Sequence, residues 1–297
     1  MKGKIVSLQL PLLLLPLLCG SVQASSQSLL PTIVGGSPVS TAPSWITALT
    51  LKSGNLYYQF CGGSLIAPQW VVTAAHCLDA STNNTSLLRL VIGEATLSSA
   101  SQYHSVDRVI LHPAWQGEDS GDFTGDIALL HLTSAVEEAP ISLASANAAE
   151  SLSVGSLLNA YGWGVTSATG TTTSDILQQV ALPFVGFNSL TEADHFLAGG
   201  NAGEDTCYGD SGGPLTYDEQ LYGITSYGTD ICALDGVPAA YTSVGSYLPW
   251  IDGYLTGNPA DDQDDSSGGG SLPLLAIGLL CLGAMRGRRG KGSGKLS

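Results

Sequence analysis

Apolar positions between residues 33 and 257 come in short runs, and clusters of Gly, Ser, Asn and Asp separate them. The runs SWITALTL, GGSLIAPQWVVTAA, LLRLVIG, VDRVILH, DIALLHL, SLLNAYGWG and LYGITSYG are rich in β-formers. Many short β-rich runs between turn residues predict an all-β sandwich or barrel. One segment breaks the pattern. Val244, Tyr247, Leu248, Ile251 and Leu255 approximate helical spacing and predict a short C-terminal helix over 244–255. No repeat of solenoid length is visible.

The two ends read differently. Lys2 and Lys4 precede an apolar run from Leu8 to Leu18, and Val22-Gln23-Ala24 follows it. Basic, apolar, then small is the layout of a secretory signal peptide, with cleavage expected after Ala24. A lipoprotein reading at Cys19 is the alternative, weakened by bulky Leu18 before it. Residues 258–271 (NPADDQDDSSGGGS) are an acidic, Gly-rich linker that cannot bury a core. Leu272 to Met285 is apolar, and Arg286, Arg288, Arg289 and Lys291 follow. Fourteen helical residues cover only about 21 Å of a hydrocarbon core about 30 Å thick.

Composition narrows the classes. Of 297 residues, 37 are glycine and only 12% are charged, which suits tight turns between strands and argues against a coiled coil. With 44% of residues hydrophobic, the chain is not a disordered one. The formal charge is −15, and residues 33–257 hold 21 acidic side chains against Lys52, Arg89 and Arg108. Such a surface repels phosphates, so nucleic acid binding is excluded and cationic partners are favoured. Outside the apolar ends the cysteines are Cys61, Cys77, Cys207 and Cys232. An even number in an exported chain reads as disulfides, with three pairings open, and the absence of C-x-x-C argues against zinc.

Three segments carry chemistry. TAAHC places His76 after an apolar run, DIALL places Asp126 at the head of another, and CYGDSGGPL places Ser211 in a glycine-rich loop. A serine hydroxyl is a poor nucleophile without an adjacent base. A neutral histidine can take its proton, and a buried carboxylate fixes the histidine tautomer and stabilises the imidazolium. Each piece alone has a plainer reading as a structural histidine, a turn acid or a tight loop. Together, in the order His, Asp, Ser, they match a known solution to nucleophilic catalysis.

The chain here resembles the trypsin-like (chymotrypsin-fold) serine proteases over residues 33–257. IVGG at Ile33, CGGSLI at Cys61, TAAHC, DIALL, YGWG at Tyr161, GDSGGP and SYG at Ser226 fall in the family's order. The resemblance implies two six-stranded antiparallel β-barrels with the active site in the cleft between them. It implies that His76 is the general base and then acid, Asp126 its orienter, and Ser211 the nucleophile. Gly209 and Ser211 would supply the oxyanion N–H groups, and Ser226, Tyr227 and Gly228 would pair with substrate backbone. The implied disulfides are Cys61–Cys77 and Cys207–Cys232. No cofactor or metal is implied, because the segment after Glu94 lacks the second acid of the family's calcium loop.

Asp205 falls at the base of the implied primary pocket, where a carboxylate would select substrate Arg or Lys. Ala239 stands where trypsins carry glycine, and Tyr227 replaces the usual tryptophan. The family's activation pairs the α-amine freed at Ile33 with Asp210. Thr32 precedes Ile33, so an eight-residue propeptide, 25–32, calls for a separate activating protease. The glycines, apolar stretch and arginines at the C-terminus resemble the bacterial GlyGly-CTERM sorting tail, implying a rhomboid-like sorting protease. A plain membrane tether is the alternative for residues 272–297. The expected product is a monomeric, secreted or surface-attached endopeptidase; a binding or adhesion protein on the same scaffold and an esterase are the competing readings.

Overall fold

The computed structural model describes residues 33–78, 83–187 and 194–258. The expected signal peptide (1–24), propeptide (25–32), linker beyond residue 258 and C-terminal tail (272–297) lie outside the described residues. The strands in chain order are β1 (Ser37–Pro38), β2 (Ile46–Ser53), β3 (Leu56–Ala67), β4 (Trp70–Thr73), β5 (Leu88–Ile92), β6 (His104–Leu111) and β7 (Ala128–Leu132). They continue as β8 (Ser142–Leu143), β9 (Leu157–Gly162), β10 (Gln178–Phe187), β11 (His195–Gly199), β12 (Pro214–Tyr217), β13 (Gln220–Tyr227) and β14 (Pro238–Ser243). A helix, α1 (Leu248–Leu255), ends the described chain.

The strands build two closed antiparallel barrels of six. The first runs β2-β3-β4-β7-β6-β5 and closes through β5 on β2. The second runs β9-β10-β11-β14-β13-β12 and closes through β12 on β9. Closure removes the open sheet edges that invite aggregation. Two-residue strands decorate the second barrel, β1 against β10 and β8 parallel to β13. The two-barrel architecture expected from the sequence is the one observed.

Side-chain alternation explains how each barrel fills. Along β10, Val180, Leu182 and Phe184 are buried while Ala181 and Val185 face out, the period of two that a pleated strand imposes. They meet Leu158, Phe196, Leu215 and Tyr241 in the core of the second barrel. The first barrel packs Leu49, Leu65, Leu90 and Leu129. Ile33, at the head of the IVGG segment, is fully buried in the second core.

The C-terminal helix departs from expectation in one respect. Residues 244–247 wind as a 3₁₀ turn, and the α-helix begins at Leu248. Pro249 explains the offset, because it lacks an N–H and is tolerated only in the first turn of an α-helix.

Cys61 bonds Cys77 and Cys207 bonds Cys232, with sequence separations of 16 and 25. In the chain-entropy model, closing loops of these sizes stabilises by about 3 kcal/mol each. The first bridge ties β3 to the 3₁₀ turn Ala75–Leu78 that carries His76. The second ties the segment before Ser211 to the loop after β13.

Candidate active site

His76 enters from the first barrel, on a 3₁₀ turn whose neighbours Ala75 and Cys77 are buried. Asp126 also comes from the first barrel, just before β7, and is fully buried. Its Oδ1 accepts the His76 backbone N–H at 2.9 Å, and its Oδ2 accepts the ring Nδ1–H at 2.8 Å. That second bond fixes the tautomer: with Nδ1 protonated, the neutral ring keeps its lone pair on Nε2.

Ser211 comes from the second barrel, in the turn before β12, and lines the same cleft as His76. The turn is pinned at several points. The Ser211 carbonyl accepts the N–H of Gly62 in β3 at 2.7 Å, and the Gly212 N–H donates to the Thr225 carbonyl at 2.8 Å. A Cβ at Gly212 would lie 2.1 Å from the Thr73 hydroxyl and 2.7 Å from the Gly62 carbonyl, so no side chain fits between the barrels here. Asp210, Gly212 and Gly213 spend their N–H groups on protein carbonyls. Those of Gly209 and Ser211 donate to no acceptor among the described residues. Ser211 Oγ makes no hydrogen bond to His76 there either. Such contacts commonly close only with substrate in place.

The cleft continues into a cavity of about 260 Å³. Asp205, Thr206, Ser226, Tyr227, Gly228 and Ala239, together with His76 and Ser211, are among its lining residues, so every residue expected around the primary pocket reaches it. Asp205 Oδ2 accepts the Ala233 N–H at 3.0 Å. Its Oδ1 is buried without a hydrogen-bond partner. Burial raises the Asp205 pKa to about 6, against the lowering effect of the Ala233 and Thr206 N–H groups.

The sequence matches the family model described as Trypsin over residues 33–251. It is similar to chymotrypsin-like elastase family member 1 of Canis lupus familiaris, 33% identical over 248 residues, covering 76% of this chain and 93% of that protein. It is also similar to brachyurin of Leptuca pugilator, at 33% over 231 residues, covering 74% and 96%. Tryptase of Mus musculus is 34% identical over 275 residues, covering 84% and 98%. The chain belongs to the trypsin family of serine proteases.

In this trypsin-family protease the His76–Asp126 pair is electrostatically tuned. Burial opposes charge on the His76 ring, but the Asp126 charge and hydrogen bond, with a contribution from Glu118, outweigh it and raise its pKa. Burial likewise opposes charge on Asp126. The His76 charge and hydrogen bond, the Ser226 hydroxyl and the His76 backbone N–H prevail and hold its pKa below the ordinary carboxylate value. Asp210 is different. Its carboxylate accepts N–H groups from Gly164 at 2.8 Å and Cys207 at 2.9 Å, yet complete burial lifts its pKa to about 7. A Cβ at Gly164 would fall 2.5 Å from that carboxyl carbon, which accounts for the second glycine of YGWG.

The spacing of motifs does not reveal everything around Asp126. Ser226 is expected from sequence only beside substrate backbone, but its hydroxyl turns inward and donates to Asp126 Oδ2. Thr242 Oγ1 donates to the Asp126 carbonyl at 2.9 Å. Behind both lies His195, fully buried in β11. The only sequence signal for it is a His that follows an Asp and opens the run FLAG. Cys61, His76 and Cys77 also cluster, but both sulfurs are in a disulfide and offer no thiolate to a metal.

Proposed function

We propose that this protein is an exported serine endopeptidase that cleaves after Arg or Lys. The observation that carries the specificity is Asp205, with one buried oxygen unpartnered in the cavity that also reaches His76 and Ser211. A guanidinium or ammonium would supply the missing partner, and Arg would do so in bidentate geometry.

In the proposed reaction, Ser211 Oγ attacks the substrate carbonyl carbon while His76 Nε2 takes its proton. The Gly209 and Ser211 N–H groups receive the oxyanion, commonly worth about 3 kcal/mol per donor. The tetrahedral intermediate collapses as the imidazolium gives its proton to the leaving amine, leaving an acyl ester on Ser211. Water then repeats the sequence with His76 again as base, releasing the acid and restoring the hydroxyl. Asp126 stays ionised throughout and stabilises the imidazolium.

The same reading makes the chain a zymogen. Cleavage between Thr32 and Ile33 would free an amine to pair with Asp210, and Thr32 points to an activator other than the enzyme itself. Until that cation arrives, Asp210 works against the fold. Its folded pKa of about 7 exceeds the ordinary carboxyl value of 3.8, so the stability it contributes while protonated is complete below pH 3.8 and is lost as pH rises through 7. The uncleaved chain is therefore expected to lose more thermal stability between pH 4 and 8 than the cleaved chain does. Melting temperatures of the two forms across that range would check it, and parallel curves would refute the pairing.

The N-terminal apolar run and the Gly-rich, apolar and Arg-rich C-terminus support export followed by rhomboid-type processing and release or surface attachment. The decisive experiment measures kcat/KM on matched peptides ending in Arg, Lys, Phe and Ala, with the N-terminus confirmed as Ile33. Preference for Arg or Lys supports the reading. Preference for Ala would mean that Ala239 narrows the pocket enough to overrule Asp205, and inactivity on all four would favour the binding protein.

A further inference from the structure

The polar groups packed behind Asp126 allow their hydrogens to be counted. Asp194, beside β11, presents Oδ1 to His195 Nδ1 at 3.1 Å. A carboxylate only accepts, so Nδ1 carries a hydrogen. His195 Nε2 lies 3.1 Å from Thr242 Oγ1 and 3.3 Å from Ser226 Oγ. Each hydroxyl has one hydrogen, and for each the nearer acceptor belongs to Asp126: Oδ2 for Ser226 and, at 2.9 Å, the backbone carbonyl for Thr242. Both oxygens therefore turn lone pairs toward Nε2. A bare Nε2 would add a third lone pair in a fully buried space, whereas an Nε2–H satisfies the two oxygens together.

We propose that His195 is a positioning residue of the triad, carrying hydrogens on both ring nitrogens and so committing the Ser226 and Thr242 hydroxyls to Asp126. The proposal rests on the catalytic reading above. Its charge is balanced by Asp194, which also accepts from the Tyr247 hydroxyl and, at 3.2 Å, from the N–H of Gly125, the residue before Asp126. Burial opposes charge on Asp194, but the His195 hydrogen bond and charge, with the Gly125 N–H, hold its pKa low. The second barrel and its C-terminal turn thus clamp Asp126, a first-barrel residue, at its side chain, its carbonyl and the preceding peptide.

Of the remaining titratable groups around the ring, Asp122 adds a further negative charge, across solvent. The Tyr227 ring packs 5.6 Å from the His195 ring, and His112 lies against Tyr247 at 4.7 Å. A cation behind Asp126 opposes a second one at His76, so its removal lets His76 hold a proton to higher pH.

The test combines kinetics on the activated full chain with ring-nitrogen NMR on the Ser211→Ala chain, which cannot digest itself. His195→Leu is expected to lower kcat on the order of ten- to a hundred-fold through loss of alignment. KM should hold, and the acid limb of the kcat/KM profile should move to higher pH. His195→Gln keeps a donor without the charge and should recover most of kcat while leaving the limb displaced. The NMR should show two protonated nitrogens on His195 at neutral pH. A singly protonated ring, or an unchanged pH profile in His195→Leu, would overturn the proposal. If His195→Leu fails to fold, the NMR and His195→Gln decide. Activity that survives Ser211→Ala would instead sink the catalytic reading, and the positioning role with it.

Discussion

Ser211→Ala is expected to lower kcat/KM on the best substrate on the order of 10⁶-fold, with folding unaffected. The size follows from the loss of the hydroxyl that the proposed reaction converts into the acyl ester. His76 would keep its bond to Asp126 at 2.8 Å but have no hydroxyl to deprotonate. The fold should survive because Ser211 is held through its carbonyl, which accepts from Gly62, and alanine keeps that carbonyl. Residual activity should exceed the uncatalysed rate, since the Gly209 and Ser211 N–H groups and the pocket remain. An unchanged melting temperature with activity within ten-fold of the parent would contradict the assignment.

Asp205→Ser is expected to lower kcat/KM for Arg and Lys substrates on the order of 10⁴-fold while sparing Phe and Ala substrates. The asymmetry comes from burial. A substrate cation would be stripped of water in the cavity, and among the described lining residues Asp205 is the buried carboxylate that replaces that hydration, Glu118 and Asp230 being exposed. The pH dependence separates this from a general loss of pocket shape. Burial holds the Asp205 pKa at about 6, so below pH 6 the carboxyl is mostly neutral and a cation gains little from it. Benzamidine binding to the Ser211→Ala chain, followed by calorimetry, should weaken as pH falls through 6. The Asp205→Ser form should show weak binding at every pH. Flat, tight binding across that range would show that Asp205 is not the recognising group.

Much of this protein was legible from local pattern. The β-rich runs between turn residues predicted an all-β chain, and most of each run is strand, GGSLIAPQWVVTAA being divided between β3 and β4. The motifs around His76, Asp126 and Ser211 pointed to side chains that the fold does bring together, Asp126 bonding His76 and Ser211 lining the same cleft as His76. The second barrel was harder to read. Its β10 and β14 contain Pro183 and Pro238, and β11 and β12 are only five and four residues long, so no strong periodic signal marks them.

What sequence alone determined is the inventory: strands, turn glycines, an even set of cysteines and the three chemical motifs in order. Tertiary structure decided the partnerships. The four cysteines allowed three pairings by themselves, and folding selects the two bridges seen. Asp126 meets His76 across 50 residues, Ser226 across 100 and Thr242 across 116. Those bonds exist because barrel closure brings distant strand ends to one buried point, where every polar atom needs a partner. No pattern within a strand specifies which residue will stand there, and so His195 becomes visible only once both barrels are closed.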